Sequence, residues 1–232
     1  MRCQVGTSGY QYRAWRGSFY SERCREADML AEYGRLLPTV EVNSSFYRMP
    51  KPDVLSRWRT AVPEHFRFAI KASQRISHRK RLKDCAEPVE YLLSVLRSLG
   101  EKLGTVLVQL PPTMRRDDER LATFLSLWPD DVRVAMEFRH ESWFDEGVFE
   151  RLREHRAALC IADVEGEELA ARLVATADHG YLRLRRDTYD DAGLDAIAAL
   201  TRAQSWDDVS AYLKHEDVGP ALAAGLLSRL SA

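Results

Sequence analysis

The 232-residue chain is short of several things, and each shortage excludes a class of protein. It holds no apolar run near the ~20 residues of a membrane span, so no membrane partner is expected. Its four cysteines, at 3, 24, 85 and 160, form no Cys-x-x-Cys pair. That pattern argues against zinc and disulfide frameworks and for reduced thiols in a cytoplasmic protein. The opening Met1-Arg2-Cys3-Gln4-Val5-Gly6-Thr7 has no apolar signal core, which agrees with a cytoplasmic location. Six histidines lie scattered at 65, 78, 140, 155, 179 and 215, without metal-binding spacing, and no metal is expected. Gly6-Thr7-Ser8-Gly9 lacks the dinucleotide fingerprint. P-loop, nucleophile-elbow and flavin motifs are missing too, so no cofactor is expected. No Gly/Ser linker or low-complexity tract divides the chain, which is read as one domain over 1–232.

What is present is an ordinary globular composition, 45% hydrophobic and 30% charged, with a formal net charge of −1. The near-neutral total hides an asymmetry. Residues 1–83 carry 17 basic and 7 acidic side chains, and residues 84–232 carry 17 basic and 28 acidic. Only 6 of the 34 basic residues are Lys, so most of the cationic chemistry is planar guanidinium. A basic segment suggests a polyanion partner or a polarised site.

Short β-rich runs occur at 3–6, 39–43, 66–71, 105–110, 133–138, 158–162, 181–185 and 210–214. Helix-like stretches separate them at 27–37, 52–61, 89–99, 119–127, 146–155, 169–177 and 194–203, and 221–230 closes the chain. The stripe Val89, Leu92, Leu93, Leu96, Leu99 has helical spacing. Eight strand–helix pairs in this length predict an α/β fold of the (β/α)8 barrel type, better than an open doubly wound sheet. Side chains alternate along strands. Polar residues then gather near the C-terminal strand ends: Glu41, Asn43, Lys71, Gln109, Glu137, Arg139, Asp163, Arg183, Arg185 and Lys214. For strand 6 the inner face is read as Leu159, Ile161 and Asp163. Barrel active sites are built at that end. Five cations against three carboxylates suit an anionic ligand held by Arg forks. The competing reading is an ion-pair lattice that merely plugs the barrel. Asn43 is the only Asn in the chain.

The chain resembles the YecE-like family, the domain of unknown function seventy-two, along nearly its full length. The resemblance rests on Val5–Tyr12 with Trp15–Tyr20, on Glu41-Val42-Asn43-Ser44-Ser45-Phe46-Tyr47, and on Phe68–Ala72 with His78. It continues in Val108–Pro112, Glu137-Phe138-Arg139-His140-Glu141-Ser142-Trp143 and Lys214–Asp217. It implies a TIM-type barrel and no established reaction. At Leu184-Arg185-Arg186-Asp187 many relatives carry His-Gly after the strand, so no role for that His transfers here.

Glu41, Glu137 and Asp163 are the candidate proton-transfer groups. Tyr12, Trp15, Tyr47 and Trp143 form a candidate stacking rim, with ordinary packing at the barrel mouth as the equal alternative. Two carboxylates and such a rim suit sugar hydrolysis, but neighbouring cations would hold the carboxylates ionised and disfavour that chemistry. The same cations compete with an Mg²⁺ or Mn²⁺ ion. Lys71 is read first as an anion clamp, and as a Schiff-base former if it proves desolvated and crowded by cations. Arg139, Arg183 and Lys214 join it in holding the anion, Asn43 and Gln109 orient the ligand, and His78 stands beside the basic loop 71–83 as a further binding group. The expectation is therefore an enzyme, a hydrolase or lyase, acting by acid–base chemistry on a small phosphate- or carboxylate-bearing molecule. The alternative is a nucleic-acid-associated protein that uses the 71–83 segment and the aromatic rim.

Overall fold

Each β-rich run becomes a strand in the computed structural model, which describes residues 1–231. The strands are β1 (Arg2–Ser8), β2 (Thr39–Val42), β3 (Arg67–Lys71), β4 (Leu103–Gln109), β5 (Val134–Glu137), β6 (Ala158–Asp163), β7 (His179–Leu184) and β8 (Asp208–Leu213). All neighbours are parallel, the order follows the chain, and β8 pairs with β1 to close the barrel. The helices are α1 (Met29–Leu36), α2 (Ser44–Tyr47), α3 (Pro52–Ala61), α4 (Ala86–Leu96), α5 (Asp118–Leu125), α6 (Glu146–Glu154), α7 (Leu169–Arg172), α8 (Asp191–Arg202) and α9 (Gly219–Ser231). Asp117, Asp145 and Asp190 start α5, α6 and α8, each side chain accepting a backbone N–H of the first turn.

The two faces of the strands divide the apolar residues by size. Larger side chains such as Val40, Phe68, Ile70, Val108, Met136 and Leu182 pack outward under the helices. The barrel interior holds a second cluster of mostly smaller groups, Ala69, Leu107, Ala135, Ala158 and Cys160, around Tyr181 and Tyr212. The two Tyr rings meet at 5.1 Å and fill the middle layer. β1 runs so close to β2 that a Cβ on Gly6 would lie 1.9 Å from the Thr39 carbonyl oxygen, so only glycine fits there. All four cysteines are free thiols.

Three expectations are corrected. In β6 the inward residues are Ala158 and Cys160, while Leu159 and Ile161 pack against helices, so Asp163 points out of the barrel with them. The expected helix 169–177 stops at Arg172, because Thr176 is drawn onto β6. Its hydroxyl donates to the Ala157 carbonyl and accepts the Leu159 N–H, both at 2.7 Å, which holds the segment extended. The helix expected over 89–99 begins at Ala86 and gives way to a 3-10 stretch, Arg97–Lys102, in which Gly100 has φ +55°. Pro88 is tolerated because it lies in the first turn.

Candidate active site at the C-terminal barrel mouth

The inner face of β7 sets the vertical order of the site. Tyr181, Arg183 and Arg185 alternate inward along it, so each climbs one layer toward the mouth. Arg183 lies just above the tyrosine layer, with 2% of its side chain exposed, between two carboxylates that are 0% and 2% exposed. Its Nη2 donates to Glu41 Oε1 at 2.8 Å and its Nη1 to Glu137 Oε2 at 2.7 Å. Ser8 Oγ and Asn43 Nδ2 also donate to Glu41 Oε1, and Tyr181 OH donates to Oε2. Burial alone would raise the Glu41 carboxyl. The Arg183 charge and the hydrogen bonds from Arg183, Ser8 and Tyr181 outweigh it and hold the group at about 2. Glu41 is thus a fixed anion with its lone pairs engaged. Burial pushes the Tyr181 phenol well above its ordinary value, and the same anion adds to the effect.

Gln109 joins this tier to Lys71. Its Nε2 donates to Glu137 Oε1 at 2.7 Å, and its Oε1 accepts from Lys71 Nζ at 2.9 Å. Short helix α2 places the other partner of Lys71. Ser45 Oγ donates to the Lys71 carbonyl at 2.7 Å, pinning α2 to the end of β3, and Phe46 then lies with its ring centroid 4.4 Å from Nζ. Burial lowers the Lys71 amine, Arg183 lowers it further, and Glu137 and Glu41 restore only part of the loss, leaving it at about 8.

Above Lys71 opens a cleft of about 400 Å³ bordered by Ser8, Tyr12, Asn43, Tyr47, Arg185 and Lys214 among others. A wider depression beside it shares Arg185 and Lys214 and adds Arg139. Among the described residues Arg185 and Lys214 form no ion pair, and Arg139 has only a 3.4 Å contact from Nε to Glu137. Burial and the Arg183 charge lower Arg185 from its ordinary value. A larger cavity of about 590 Å³ lies at the opposite, N-terminal mouth, where Arg2 and Arg133 pair with Asp208. That end of a barrel serves stability rather than chemistry.

The structure brings together Glu41, Asn43, Lys71, Gln109, Glu137, Arg139, Arg183 and Lys214, with Tyr12 and Tyr47 at the cleft edge. It separates Asp163, which accepts Arg186 Nε at 2.7 Å and Tyr189 OH at 2.9 Å outside the barrel, as its outward parity requires. It also splits the expected aromatic rim. Trp15 is buried and donates its indole N–H to the Glu216 carbonyl. Trp143 is buried flat against Phe138 and donates to the Met114 carbonyl at 2.7 Å. Both tryptophans are packing groups, whereas Tyr12 is half-buried and Tyr47 is 75% exposed. His78 sits on a single π turn, Arg75–Arg79, with Nδ1 2.9 Å from Ser77 Oγ and its ring edge-on to Phe46 at 4.9 Å. Burial lowers its pKa, helped by Lys71, Arg139 and Arg81. The following residues Arg81, Leu82 and Asp84 have φ of 49°, 65° and 50°, a left-handed run that costs non-glycine residues about 1–3 kcal/mol each. Part of the basic segment is spoken for: Arg75 pairs with Glu87, Lys80 bonds the Asp84 carbonyl and Arg81 bonds Thr113.

Ser8 and Tyr181 are site residues that received no role from the sequence, and Arg185 was counted among the five cations at the strand ends without a named part in the clamp. Arg185 was legible through its parity with Arg183. Tyr181 was hidden because an inward aromatic reads as core. Among the described residues no group of three His, Cys, Asp or Glu is arranged to hold a metal, and no helix is long and apolar enough to cross a membrane.

The family described as "Protein of unknown function DUF72" matches residues 4–232 of this chain. UPF0759 protein YecE of Escherichia coli K12 is 35% identical over 123 residues, 53% of this chain and 45% of that protein. UPF0759 protein YunF of Bacillus subtilis 168 is 28% identical over 142 residues, 58% of this chain and 50% of that one. The chain thus spans about half the length of the curated relatives it matches. A DUF72 family protein of Thermotoga maritima MSB8 superposes with a TM-score of 0.81 at 20% identity, each chain covered in full. One from Enterococcus faecalis V583 gives 0.80 at 19%, covering 99% of this chain and 96% of the other. At such identities these two structures speak to the fold alone, and the fold is the TIM-type barrel.

Proposed function

The chain belongs to the DUF72 family, and from that premise we propose an enzyme that binds a small carboxylate- or phosphate-bearing molecule at the C-terminal mouth and moves a proton on it, in hydrolysis or lyase cleavage. The observation that carries this reading is the upper tier, in which, among the described residues, Arg185 and Lys214 have no ion-pair partner and Arg139 has one long contact. Arg139, Arg185 and Lys214 line one open depression that Asp187, Glu216 and Asp217 also border, while Glu41 and Glu137 below are engaged by Arg183. Guanidinium forks with free N–H groups are suited to bidentate oxyanions. Arg185 is half-buried with no ion-pair partner, and leaving a partly desolvated charge unpaired is costly, so a bound anion is its natural complement. The geometry favours a proton carrier other than the carboxylates. Glu41 is held ionised and saturated, and Glu137 accepts from both Arg183 and Gln109, so the two carboxylates act as a fixed electrostatic frame. Lys71, lowered to about 8, is the group whose protonation changes near neutrality, where acid–base catalysis is most efficient.

Titration calorimetry with inorganic phosphate and with citrate at low salt tests the reading. Phosphate or citrate should bind, and Arg185→Ala should weaken binding about 10- to 100-fold, as expected for a lost charge-assisted hydrogen bond. Absence of binding by both anions at millimolar concentration, or affinities untouched by Arg185→Ala and Lys214→Ala, would remove the anion site.

A further inference from the structure

The chain has two buried lysines, and their surroundings differ in kind. Lys102 is a structural cation: its Nζ donates to the carbonyls of Arg59 and Val62 at 2.8 Å and lies 3.3 Å from Glu64. Lys71 is 9% exposed, yet among the described residues its Nζ has one hydrogen-bond acceptor, the neutral amide oxygen of Gln109. Glu137 reaches it only through that amide, and Glu41 is tied to Arg183, Ser8, Asn43 and Tyr181. One side of the amine is covered by the Phe46 ring, and the other borders the cleft with Arg183, Arg185 and Lys214. The amine is therefore desolvated, crowded by cations and open to a ligand, the conditions that turn a lysine from a clamp into a nucleophile.

We infer that Lys71 Nζ forms a Schiff base with a small carbonyl compound whose carboxylate or phosphate is held by Arg139, Arg185 and Lys214. The inference rests on the anion site proposed above and adds the covalent chemistry beside it. The neutral amine's lone pair attacks the carbonyl carbon, and the carbon–oxygen π pair moves to oxygen, which takes up a proton as the nitrogen releases one. The resulting carbinolamine loses its hydroxyl group with a second nitrogen proton as water, leaving a carbon–nitrogen double bond and no change of oxidation state. The lowering of Lys71 to about 8 supplies the neutral amine near physiological pH.

Borohydride trapping of the full chain tests the step. The protein is incubated with pyruvate or, separately, with dihydroxyacetone phosphate. It is then reduced with sodium borohydride and read by intact mass and peptide mapping. The pyruvate arm represents the carboxylate source and the other arm the phosphate source. With pyruvate, the expected product is a single adduct equal to one pyruvic acid less one oxygen atom. In either arm the adduct should map to Lys71, be suppressed by excess inorganic phosphate and be absent in Lys71→Arg. Its yield should rise with pH through the range near 8. Adduct in one arm supports the inference and names the anion. No adduct in either arm, while phosphate still binds by calorimetry, overturns the Schiff base and leaves the anion site standing. Absence of both removes both. Adduct spread over Lys51, Lys80, Lys83 and Lys214 also overturns it. The wild-type peptide map decides the location even if Lys71→Arg does not fold.

Discussion

Replacing Arg183 by Met should be among the most damaging single changes in the barrel, and its cost should depend on pH in a defined direction. Arg183 is 2% exposed and bonds two carboxylates that have almost no other access to solvent. Breaking a buried ion pair by removing one partner costs about 3–5 kcal/mol. One guanidinium serves two carboxylates here, so the upper end is expected at pH 7. For a chain of this size that corresponds to a melting temperature lowered by about 10–20 °C. Glu41 fixes the pH dependence. Its folded value, about 2, lies below its ordinary 4.5. A carboxyl depressed in this way stabilises the fold above 4.5, and the contribution is lost as pH falls toward 2. Two to three pKa units correspond to about 3 kcal/mol. The variant lacks this contribution, so the gap between wild type and Arg183→Met should be widest at pH 6–7 and narrow by about that amount as pH falls from 5 toward 2. Urea unfolding at several pH values measures it. A gap below about 1 kcal/mol at pH 7, or one that stays constant on acidification, would refute the claim that Arg183 holds the two carboxylates.

Three further outcomes separate site from scaffold. Trp15→Phe and Trp143→Phe each remove an indole hydrogen bond to a carbonyl, so denaturant midpoints should fall by the equivalent of about 1–3 kcal/mol while phosphate affinity is retained; weaker phosphate binding with intact stability would restore them to the rim. Asp163→Asn should free Arg186 and Tyr189, raising hydrogen exchange in residues 186–189 and leaving phosphate binding and borohydride trapping intact. Gly6→Ala should fail to give the native barrel, since its Cβ would overlap the Thr39 carbonyl, and a variant with wild-type circular dichroism and melting temperature would contradict the strand register.

The barrel was readable because its period is written twice, in the alternation of apolar strand runs and in the helical stripes between them. The site was readable where polarity and strand parity agree, as in Glu41, Lys71, Gln109, Glu137 and Arg183. It failed where one polar residue ends a strand whose parity is set by size. In Ala158-Leu159-Cys160-Ile161-Ala162-Asp163 the crowded interior, already filled by Tyr181 and Tyr212, accepts the small members, and the large ones turn to the helices. Asp163 follows the large set outward. Weighing side-chain volume before polarity would have placed it. The tryptophans stayed open between two readings for a different reason: an aromatic beyond a strand end is compatible with a rim or a plug. Only the carbonyls of Glu216 and Met114, distant in sequence, decide for the plug.

The opposing readings of the polar mouth, a self-satisfied lattice and a ligand site, apply to different layers, the lattice below and the proposed site above. The lower layer is a lattice: Arg183 absorbs Glu41 and Glu137, and Ser8, Asn43, Gln109 and Tyr181 take up the remaining lone pairs. Because those carboxylates are engaged below, neither forms an ion pair with Lys71, Arg185 or Lys214, and Arg139 keeps only its longer contact with Glu137. The buried trio thus leaves Lys71, Arg185 and Lys214 without a carboxylate partner from the barrel interior, at a mouth that Asp187, Glu216 and Asp217 also border. The amide of Gln109 completes the separation, passing a hydrogen bond from Lys71 to Glu137 while placing no charge beside the amine. A carboxylate in that position would favour the ammonium by roughly 1–3 pKa units. The sequence asymmetry gains a local meaning in the same way. The basic first third contributes Lys71, while Arg139, Arg183, Arg185 and Lys214 arrive from the acidic remainder, so barrel closure, and not segment composition, brings these five cations to one mouth.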